Sequence, residues 1–533
     1  MELDNEILQA LIDSYRFILP EMVLAGAACV LFIVGTFCAC RHVAAGIALT
    51  AVAIAGSAHF LTAPWRLDEV TSAALFNGPL TRDALASLVR LIALGGGVLL
   101  VLFSWNEVPD KQAADYHGCL VLIIAGVCLA GAANDLIVLF LALELISIPT
   151  YILLYLPKHD NASQEAAMKY FLLSVFSSAL TLFGFSYLYG LAGTTNMAVL
   201  YDTLHRSEPR ELPVIVHVAV IMTVAGLGFR ITAVPFHFYA PDVYQGAPTV
   251  GAALLAFIPK VAGFAALLRV LGFVTPPGIA LSSSHIGMAL STQVPIILWF
   301  LAVVTMFLGN ILALWQDNLK RLLAYSSVAH AGYMLVALAV APYLRGTGET
   351  NDFDGVEAIL YYLIAYGVMT IGAFAVIAYL DSPQSPVETV DDLAGLSRSH
   401  PIIALAMTLF LFSLIGIPLT AGFTGKFLVF FGAMAVPSPE HVVHARVLAI
   451  LGMINAAIGG WYYLRVIAVM YLRNPLRTLP VRPTVPALAT LAICAVLTVG
   501  LSLPPAAGWL LQEARKAAGM KNVSADKHLS SAE

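Results

Sequence analysis

The stretch GFRITAVPFHFYAPDVYQGAP, residues 228–248, places polar and helix-breaking residues directly after an apolar run. The preceding ELPVIVHVAVIMTVAGL, residues 211–227, is apolar enough to enter a bilayer. The next 21 residues then contain an arginine, three prolines, a histidine and an aspartate. Because proline removes a backbone donor and clashes with the preceding turn, Pro235 predicts a break in this helix. Polar, broken segments are costly in hydrocarbon and usually mark function.

The composition of the 533 residues indicates an integral membrane protein. Hydrophobic residues make up 60% of the chain and charged residues 11%, against about 25% charged residues in soluble domains. The small net charge of −5 does not suggest a nucleic-acid partner. The six cysteines form no C-x-x-C pair, so neither a zinc site nor an iron–sulfur cluster is predicted. No dinucleotide fingerprint is found either, and the chain is expected to bind no metal and no cofactor.

A length of roughly 20 apolar residues per crossing predicts an all-α polytopic fold with fourteen membrane spans. An even number of crossings puts both termini on the same side, and the Lys and Arg residues of the loops favour the outer face for the termini. The predicted spans are 17–37, 43–63, 85–104, 117–133, 135–156, 166–191, 213–235, 249–272, 293–315, 321–342, 356–380, 400–434, 446–471 and 485–503.

The seventh and twelfth spans are predicted to be broken in the same way. Pro235 lies in VPFHFYAPD of the seventh span, and Pro418 lies in IGIPLTAGFTGKF of the twelfth. A repeat of five helices crosses the membrane an odd number of times, so its second copy inserts upside down, as in many transporters. The predicted organisation is a three-helix segment, a first and a second five-helix repeat, and a last helix with a polar C-terminal tail, at 1–116, 117–272, 293–471 and 472–533.

Five charged or titratable side chains are predicted at similar depth on five different helices: Glu144, Arg230, Lys260, His330 and Lys426. Glu144 lies nine residues past Asp135, about 13 Å into its span, and His330 lies ten residues past Lys320, about 15 Å deep. Turned inward, these side chains form a polar axis in the plane of the membrane. Buried acids and amines can exchange protons near neutral pH because burial disfavours their charged forms. The axis therefore predicts a proton relay.

Structural interpretations of the same residues stay open. Glu144 can be a static ion-pair partner, and His330 can be a hydrogen-bonded packing histidine. His237, at the predicted break, suits the satisfaction of loose backbone groups at least as well as a relay. Lys169 follows Glu165 by four residues, which is typical of a surface pair at a helix start.

At these residues the chain resembles the antiporter-like membrane subunits of respiratory complex I, and most closely the subunit N class, the bacterial counterpart of mitochondrial subunit 2. The subclass marker is PDVYQGAP, residues 241–248, and Lys426 also fits this class. The stretches that carry the resemblance are LALELISIPTYILL, EAAMKYFLLSVFSSALTLFG, AVPFHFYAPDVYQGAPT, IPKVAGFAALLR, NLKRLLAYSSVAHAGYML and GIPLTAGFTGKF.

The resemblance implies a proton-translocating subunit of the bacterial cytoplasmic membrane that assembles with the other membrane and peripheral subunits of complex I. NADH, FMN, iron–sulfur clusters and quinone would belong to those other subunits. The relay residues of the family carry over onto Glu144, Lys260 and Lys426, whereas the family's lysine on the seventh helix falls at Arg230. Arginine stays protonated in proteins, so Arg230 is expected to be a fixed cation paired with Glu144. The alternative function is an Mrp-like cation/proton antiporter subunit or another secondary transporter.

Overall fold

The computed structural model describes residues 15–62, 78–157, 160–206, 214–272, 293–345, 353–382, 385–477 and 484–519. Within these ranges the chain is helical, and its only β-pairing is in isolated bridges. The first half contains α1 (Leu19–Phe37), α2 (Arg41–Thr62), α3 (Ala84–Ser104), α4 (Ala113–Ala132), α5 (Leu136–Tyr155), α6 (Asn161–Ala192), α7 (Met197–Arg206), α8 (Val214–Arg230), α9 (Ala240–Gly246) and α10 (Thr249–Val270). The second half contains α11 (Gln293–Leu314), α12 (Leu319–Arg345), α13 (Gly355–Leu380), a 3₁₀ turn (Val390–Leu393), α14 (Leu396–Ser399), α15 (Pro401–Ile415), α16 (Ala421–Met434), α17 (Val442–Leu472), α18 (Val485–Gly500) and α19 (Pro504–Ala517).

The described helices confirm an all-α membrane protein. Eleven of them are long and apolar enough to cross a bilayer, or up to twelve if the bent pair α18 and α19 is one span. The predicted seventh and twelfth spans contain shorter apolar helices, namely α8 in the seventh and α15 and α16 in the twelfth. The count of fourteen crossings therefore stays a prediction. Both chain termini lie outside the described residues, so the predicted side of the membrane for the termini stays a prediction.

Aspartates begin several of the long helices. Asp83, Asp135, Asp160 and Asp354 stand immediately before α3, α5, α6 and α13, and each side chain accepts a hydrogen bond from a backbone N–H of the first turn. Such caps satisfy donors that have no partner within the helix. An ionised cap also interacts favourably with the positive end of the helix dipole.

Three helices form the centre of the bundle, and two of them carry Lys260 and His330. The apolar segments of α10, α12 and α13 are 100%, 94% and 89% buried, whereas the apolar segment of α1 is only 22% buried. Helix α10 packs on α13 and on α3, and α12 packs on α11, α13 and α16. Polar side chains on the three central helices are therefore shielded from lipid.

Both predicted breaks coincide with interruptions of helices. Helix α8 ends at Arg230 and α9 begins at Ala240, with Pro235 between them. The backbone N–H of Val234 in this interruption donates to Thr305 Oγ on α11 at 3.1 Å, which satisfies one of the freed groups. The second interruption separates α15 from α16 and contains Pro418.

The region after the last predicted span differs from the expected polar tail. Residues Pro504–Ala517 form helix α19, which is bent by 84° from α18 and packs on α3 and α13. Its buried residues Ala507, Leu510, Ala514 and Ala517 recur at helical spacing. The sequence prediction looked for segments of roughly 20 apolar residues. It therefore missed α19, which has only 14 residues. Residues 520–533 lie outside the described part of the chain.

Candidate proton-transfer site

The first pair of charges in the site joins α5 to the end of α8. Arg230 is only 3% exposed, and its Nη2 lies 3.3 Å from Glu144 Oε1. Its Nη1 donates to Ser147 Oγ at 2.6 Å, and Ser178 Oγ on α6 donates to the same Glu144 oxygen at 2.5 Å. The Glu144 side chain is partly exposed, with 23% of its surface accessible. The predicted contact between these two charges is thus present.

Arg230 packs against α10 one helical turn away from Lys260. Gly263 follows Lys260 by three residues and therefore lies close to the same face of α10. A Cβ at Gly263 would lie 3.3 Å from Arg230 Cβ and 2.6 Å from Ile231 Cγ2. The lack of a side chain at this position lets the end of α8 approach α10 closely. The Glu144–Arg230 pair consequently lies beside the Lys260 site.

Lys260 lies fully buried on α10 among neutral groups. Its Nζ donates to Ser327 Oγ on α12 and lies 5.5 Å from the ring centroid of Tyr366 on α13. Within the described ranges no carboxylate forms an ion pair with this lysine. A hydroxyl and an aromatic face stabilise a cation less than a carboxylate does, so the site does not lock Lys260 into its charged form.

His330 lies one turn past Ser327 on α12 and is 1% exposed. Its Nδ1 shares a hydrogen bond with Tyr362 OH at 2.7 Å, and its Nε2 shares one with Tyr463 OH at 3.1 Å. The imidazole centroid lies 5.1 Å from the ring centroid of Tyr366, which also lies against Lys260. Both ring nitrogens thus have hydroxyl partners. This arrangement serves packing and also allows the imidazole to pass a proton.

Lys426 lies on α16, directly after the second interruption, and is the last of the series of buried groups. Its Nζ donates to the carbonyl oxygens of Leu414 and Ile415 at 2.8 and 2.9 Å. These carbonyls belong to the last turn of α15, where carbonyls lack intrahelical partners and carry the negative end of the helix dipole. The ammonium also lies 5.0 Å from the ring centroid of Tyr333, whose ring centroid is 5.5 Å from that of His330.

Gly416 shapes the cradle of Lys426, and its replacement by alanine is expected to destabilise the protein. Its φ of +92° disfavours any residue with a Cβ, and a Cβ there would lie 3.0 Å from Lys426 Cδ. Gly416→Ala should cost about 1–2 kcal/mol in backbone strain alone and lower the Tm in a thermal melt of the purified protein. Gly508→Ala is the control, because a Cβ at Gly508 on α19 meets nothing within 4 Å. Equal Tm values for the two variants would contradict this role of Gly416.

Two further residues from the sequence prediction lie elsewhere. His237 lies in the first interruption, half-buried beside the exposed Phe238, and no hydrogen bond in the described part of the chain joins it to Lys260 or His330. Lys169 on α6 pairs with Glu165 at 2.6 Å, as the sequence predicts, and also with Asp242 at 2.8 Å.

Lys169 lines a cleft of about 690 Å³ at the end of the bundle where α6 begins. We call it the acidic cleft, because six of its lining residues are acidic and only Lys169 and Lys320 are basic. Its mouth is open to the surface, so water can reach Lys169. The acidic residues are Glu107, Asp160, Glu165, Asp242, Asp381 and Glu388.

The neutral partners of the charged groups were not predicted from the sequence. Ser147, Ser178, Ser327, Tyr362 and Tyr463 hold Glu144, Arg230, Lys260 and His330 in place. Two of these partners had a local signal, because Ser147 lies three residues after Glu144 and Ser327 three before His330 on the same helix. Tyr362 comes from the next helix, α13, and Tyr463 comes from α17, 133 residues after His330.

The charged groups of the site lie in the part of the chain that matches a known protein family. A family model described as "NADH:quinone oxidoreductase/Mrp antiporter, TM" matches residues 133–452, which include every charged group of the site. The chain belongs to this family. A relative named NADH-quinone oxidoreductase subunit N 1 from Solibacter usitatus is 37% identical over 83% of this chain and 85% of the relative.

Two solved structures share the fold of this chain. A chain of respiratory complex I from Thermus thermophilus with bound aureothin is 30% identical, with a TM-score of 0.72 over 92% of this chain and 98% of that chain. A chain of the Mrp complex from a Dietzia species is 19% identical, with a TM-score of 0.75 over 95% and 97% of the two chains. The Mrp similarity concerns the fold alone. Among the described residues of this family member, no group of three or more His, Cys, Asp or Glu side chains could hold a metal ion.

Proposed function

We propose that this chain is a proton-translocating membrane subunit of an NADH:quinone oxidoreductase, complex I. The observation that carries the proposal is the series of buried groups that runs from Arg230, paired with the partly exposed Glu144, through Lys260 and His330 to Lys426. The similarity to proteins named subunit N supports the identity of the complex. Its partners are the other membrane and peripheral subunits, the lipid bilayer and protons.

Within this function Glu144, Lys260, His330 and Lys426 are the relay, because each can gain and lose a proton. Neighbouring members are linked through Arg230 and Gly263, through Tyr366 and through Tyr333. Arg230 is a fixed cation that biases the protonation of its neighbours. Two residues have a weaker claim, since Lys169 is bound by two carboxylates in the acidic cleft and the half-buried His237 has no hydrogen bond to Lys260 or His330 among the described residues. Pro235 and Pro418 mark the helix breaks that let polar groups reach membrane depth.

The proposed architecture has fourteen crossings and two inverted five-helix repeats, 117–272 and 293–471. The segments 1–116 and 472–533 flank these repeats. The equivalent positions of the two interruptions, five predicted spans apart, support this arrangement. Both termini would then face the outer side of the bacterial cytoplasmic membrane. Cysteine scanning of the termini with a membrane-impermeant thiol reagent in intact cells tests this orientation.

Redox chemistry is assigned to other subunits, so the purified chain is expected to carry no redox centre. It should show no visible or iron–sulfur absorbance and no NADH:quinone activity on its own. Absorption spectra and activity assays of the isolated subunit, compared with the complex purified from the same membranes, check this expectation. A bound flavin or cluster that purifies stoichiometrically with the subunit alone would refute it.

Membership of the complex is tested by purification through an affinity tag on this chain. NADH:quinone activity and the other complex I subunits are expected to co-purify with it. The alternative is an Mrp-like cation/proton antiporter subunit, and it has only the shared fold in its favour. Co-purification of cation-antiporter subunits without NADH:quinone activity would replace the first function by the second.

A further inference from the structure

On the basis of the relay proposed above, we propose that Asp242 is a positioning residue that fixes the hydrogen-bond partner of Lys260 through helix α9. Asp242 does not belong to the series of buried groups. It lies on α9, the seven-residue helix between the first interruption and α10. The structure connects it with Lys260 through two contacts between α9 and α12.

Asp242 is the centre of an ion triplet that joins three helices. Its Oδ2 accepts from Lys169 Nζ on α6 at 2.8 Å, and its Oδ1 accepts from Arg321 Nη1 on α12 at 2.6 Å. Partial burial acts to raise the pKa of Asp242, but its hydrogen bonds and charge interactions with Lys169 and Arg321 outweigh burial and hold this pKa below its ordinary value. Asp242 is therefore ionised at neutral pH, and the triplet is intact under working conditions.

Two consecutive residues of α12 dock the remainder of α9. Arg321 Nη1 also donates to Gln245 Oε1 at 3.1 Å, and Lys320 Nζ donates to the carbonyl oxygen of Ala247 at 2.9 Å. On the other side, a Cβ at Gly246 would lie only 2.5 Å from the carbonyl oxygen of Ala162, so the backbone of α9 packs directly on α6. Helix α9 is thus held by polar contacts on the side of α12 and by close packing on the side of α6.

A second contact between α9 and α12 reaches the hydrogen-bond partner of Lys260. Tyr244 is fully buried, and its OH lies 3.4 Å from Ser327 Oγ, the atom that accepts the hydrogen bond of Lys260 Nζ. Ser327 follows Arg321 by six residues on α12, about 9 Å along the helix axis. Helices α9 and α12 are therefore joined at two points, by Asp242 with Arg321 and by Tyr244 with Ser327.

The consequence is that Asp242 acts on Lys260 through geometry. If the Asp242–Arg321 contact is lost, Arg321 keeps only Gln245 as its hydrogen-bond partner on α9. Tyr244 is then held less firmly in register with Ser327, and the Ser327 hydroxyl can rotate away from Lys260. The ion pair itself is partly exposed, 41% for Asp242 and 27% for Arg321, and such pairs add little to overall stability. Its removal should therefore affect proton transfer more than assembly.

The test compares four versions of the complete complex in inverted membrane vesicles: wild type, Asp242→Asn, Asp242→Glu and Tyr244→Phe. Proton uptake per NADH oxidised is measured from pH 6 to 9 and normalised to the assembled complex. Asp242→Asn and Tyr244→Phe are expected to lower uptake severalfold and to shift its pH profile in the same direction. Asp242→Glu keeps the charge and is expected to restore most of the uptake.

The matched control is Asp391→Asn, because Asp391 forms a comparable 2.6 Å pair with Arg473 that touches neither α9 nor Lys260. It is expected to leave uptake and pH profile unchanged. A fall of Asp242→Asn uptake that merely follows a fall in assembled complex, with an unchanged pH profile, would show a structural role and overturn the proposal. Normal uptake in Tyr244→Phe would likewise rule out the route through Ser327.

Failure of this inference is distinguishable from failure of the relay. If Lys260→Arg abolishes uptake while Asp242→Asn and Tyr244→Phe pump normally, the relay stands and the positioning role of Asp242 is wrong. If Lys260→Arg itself pumps normally, the relay is wrong, and the positioning role that depends on it is overturned as well.

Discussion

Replacing Lys260 by arginine is expected to abolish proton pumping while the complex still assembles. Lys260 is fully buried and contacts a hydroxyl and an aromatic ring, so it can lose its proton without leaving a carboxylate unpaired. Arginine has a pKa above 12, and neutralising it at pH 7 costs at least about 7 kcal/mol at 1.36 kcal/mol per pH unit. The variant would therefore carry a permanent charge where the relay needs an exchangeable one.

The measurement is proton uptake by vesicles, normalised to electron transfer and to the amount of assembled complex. Lys260→Arg should reduce this ratio by about tenfold or more. Lys516→Arg controls for the replacement of a lysine by an arginine, because Lys516 lies outside the site and pairs with Glu513 at 2.7 Å on α19. Lys260→Met separates size from charge, since it removes the exchangeable proton without adding a guanidinium. Full pumping by Lys260→Arg would exclude Lys260 from the relay.

The charges of the site were predictable because each stands alone in an apolar run. Lys260 and Glu144 are conspicuous in their spans, and a single proline marks each interruption. Burial in hydrocarbon makes such residues expensive, so their positions in the sequence already indicate inward-facing polar groups. The same logic correctly paired Arg230 with Glu144.

The tertiary partners could not be predicted, because nothing local specifies them. Arg269 pairs with Asp83, which is 186 residues away, and Arg515 on α19 reaches Glu357, which is 158 residues away and 1% exposed. Each pair depends on which helices are neighbours in the bundle. Tyrosine is common in apolar spans and does not by itself indicate a polar site, so the phenol groups around His330 could not be predicted either. The sequence thus indicated where the charged groups lie, whereas the groups that orient them could be identified only from the fold.

The second large effect is expected for Glu144→Gln, which should lower pumping and also weaken assembly. Glutamine keeps the shape of the side chain but removes its exchangeable charge. It also leaves the buried Arg230 without the carboxylate with which it pairs, because an amide oxygen can accept a hydrogen bond but carries no negative charge. Removing one member of a fully buried ion pair costs about 3–5 kcal/mol, and the cost here is smaller because Glu144 is 23% exposed. The assembled amount and the pumping per assembled complex are therefore measured separately.

A double variant separates the two consequences of losing Glu144. Glu144→Gln with Arg230→Met removes both charges, so no unpaired guanidinium remains and assembly should recover. Pumping should not recover, because the carboxylate that exchanges protons is still missing. Arg230→Lys is the matched control: it keeps a cation opposite Glu144 and is expected to retain pumping. If the double variant pumps at the wild-type ratio, Glu144 and Arg230 form only a structural pair, and the relay must begin at Lys260.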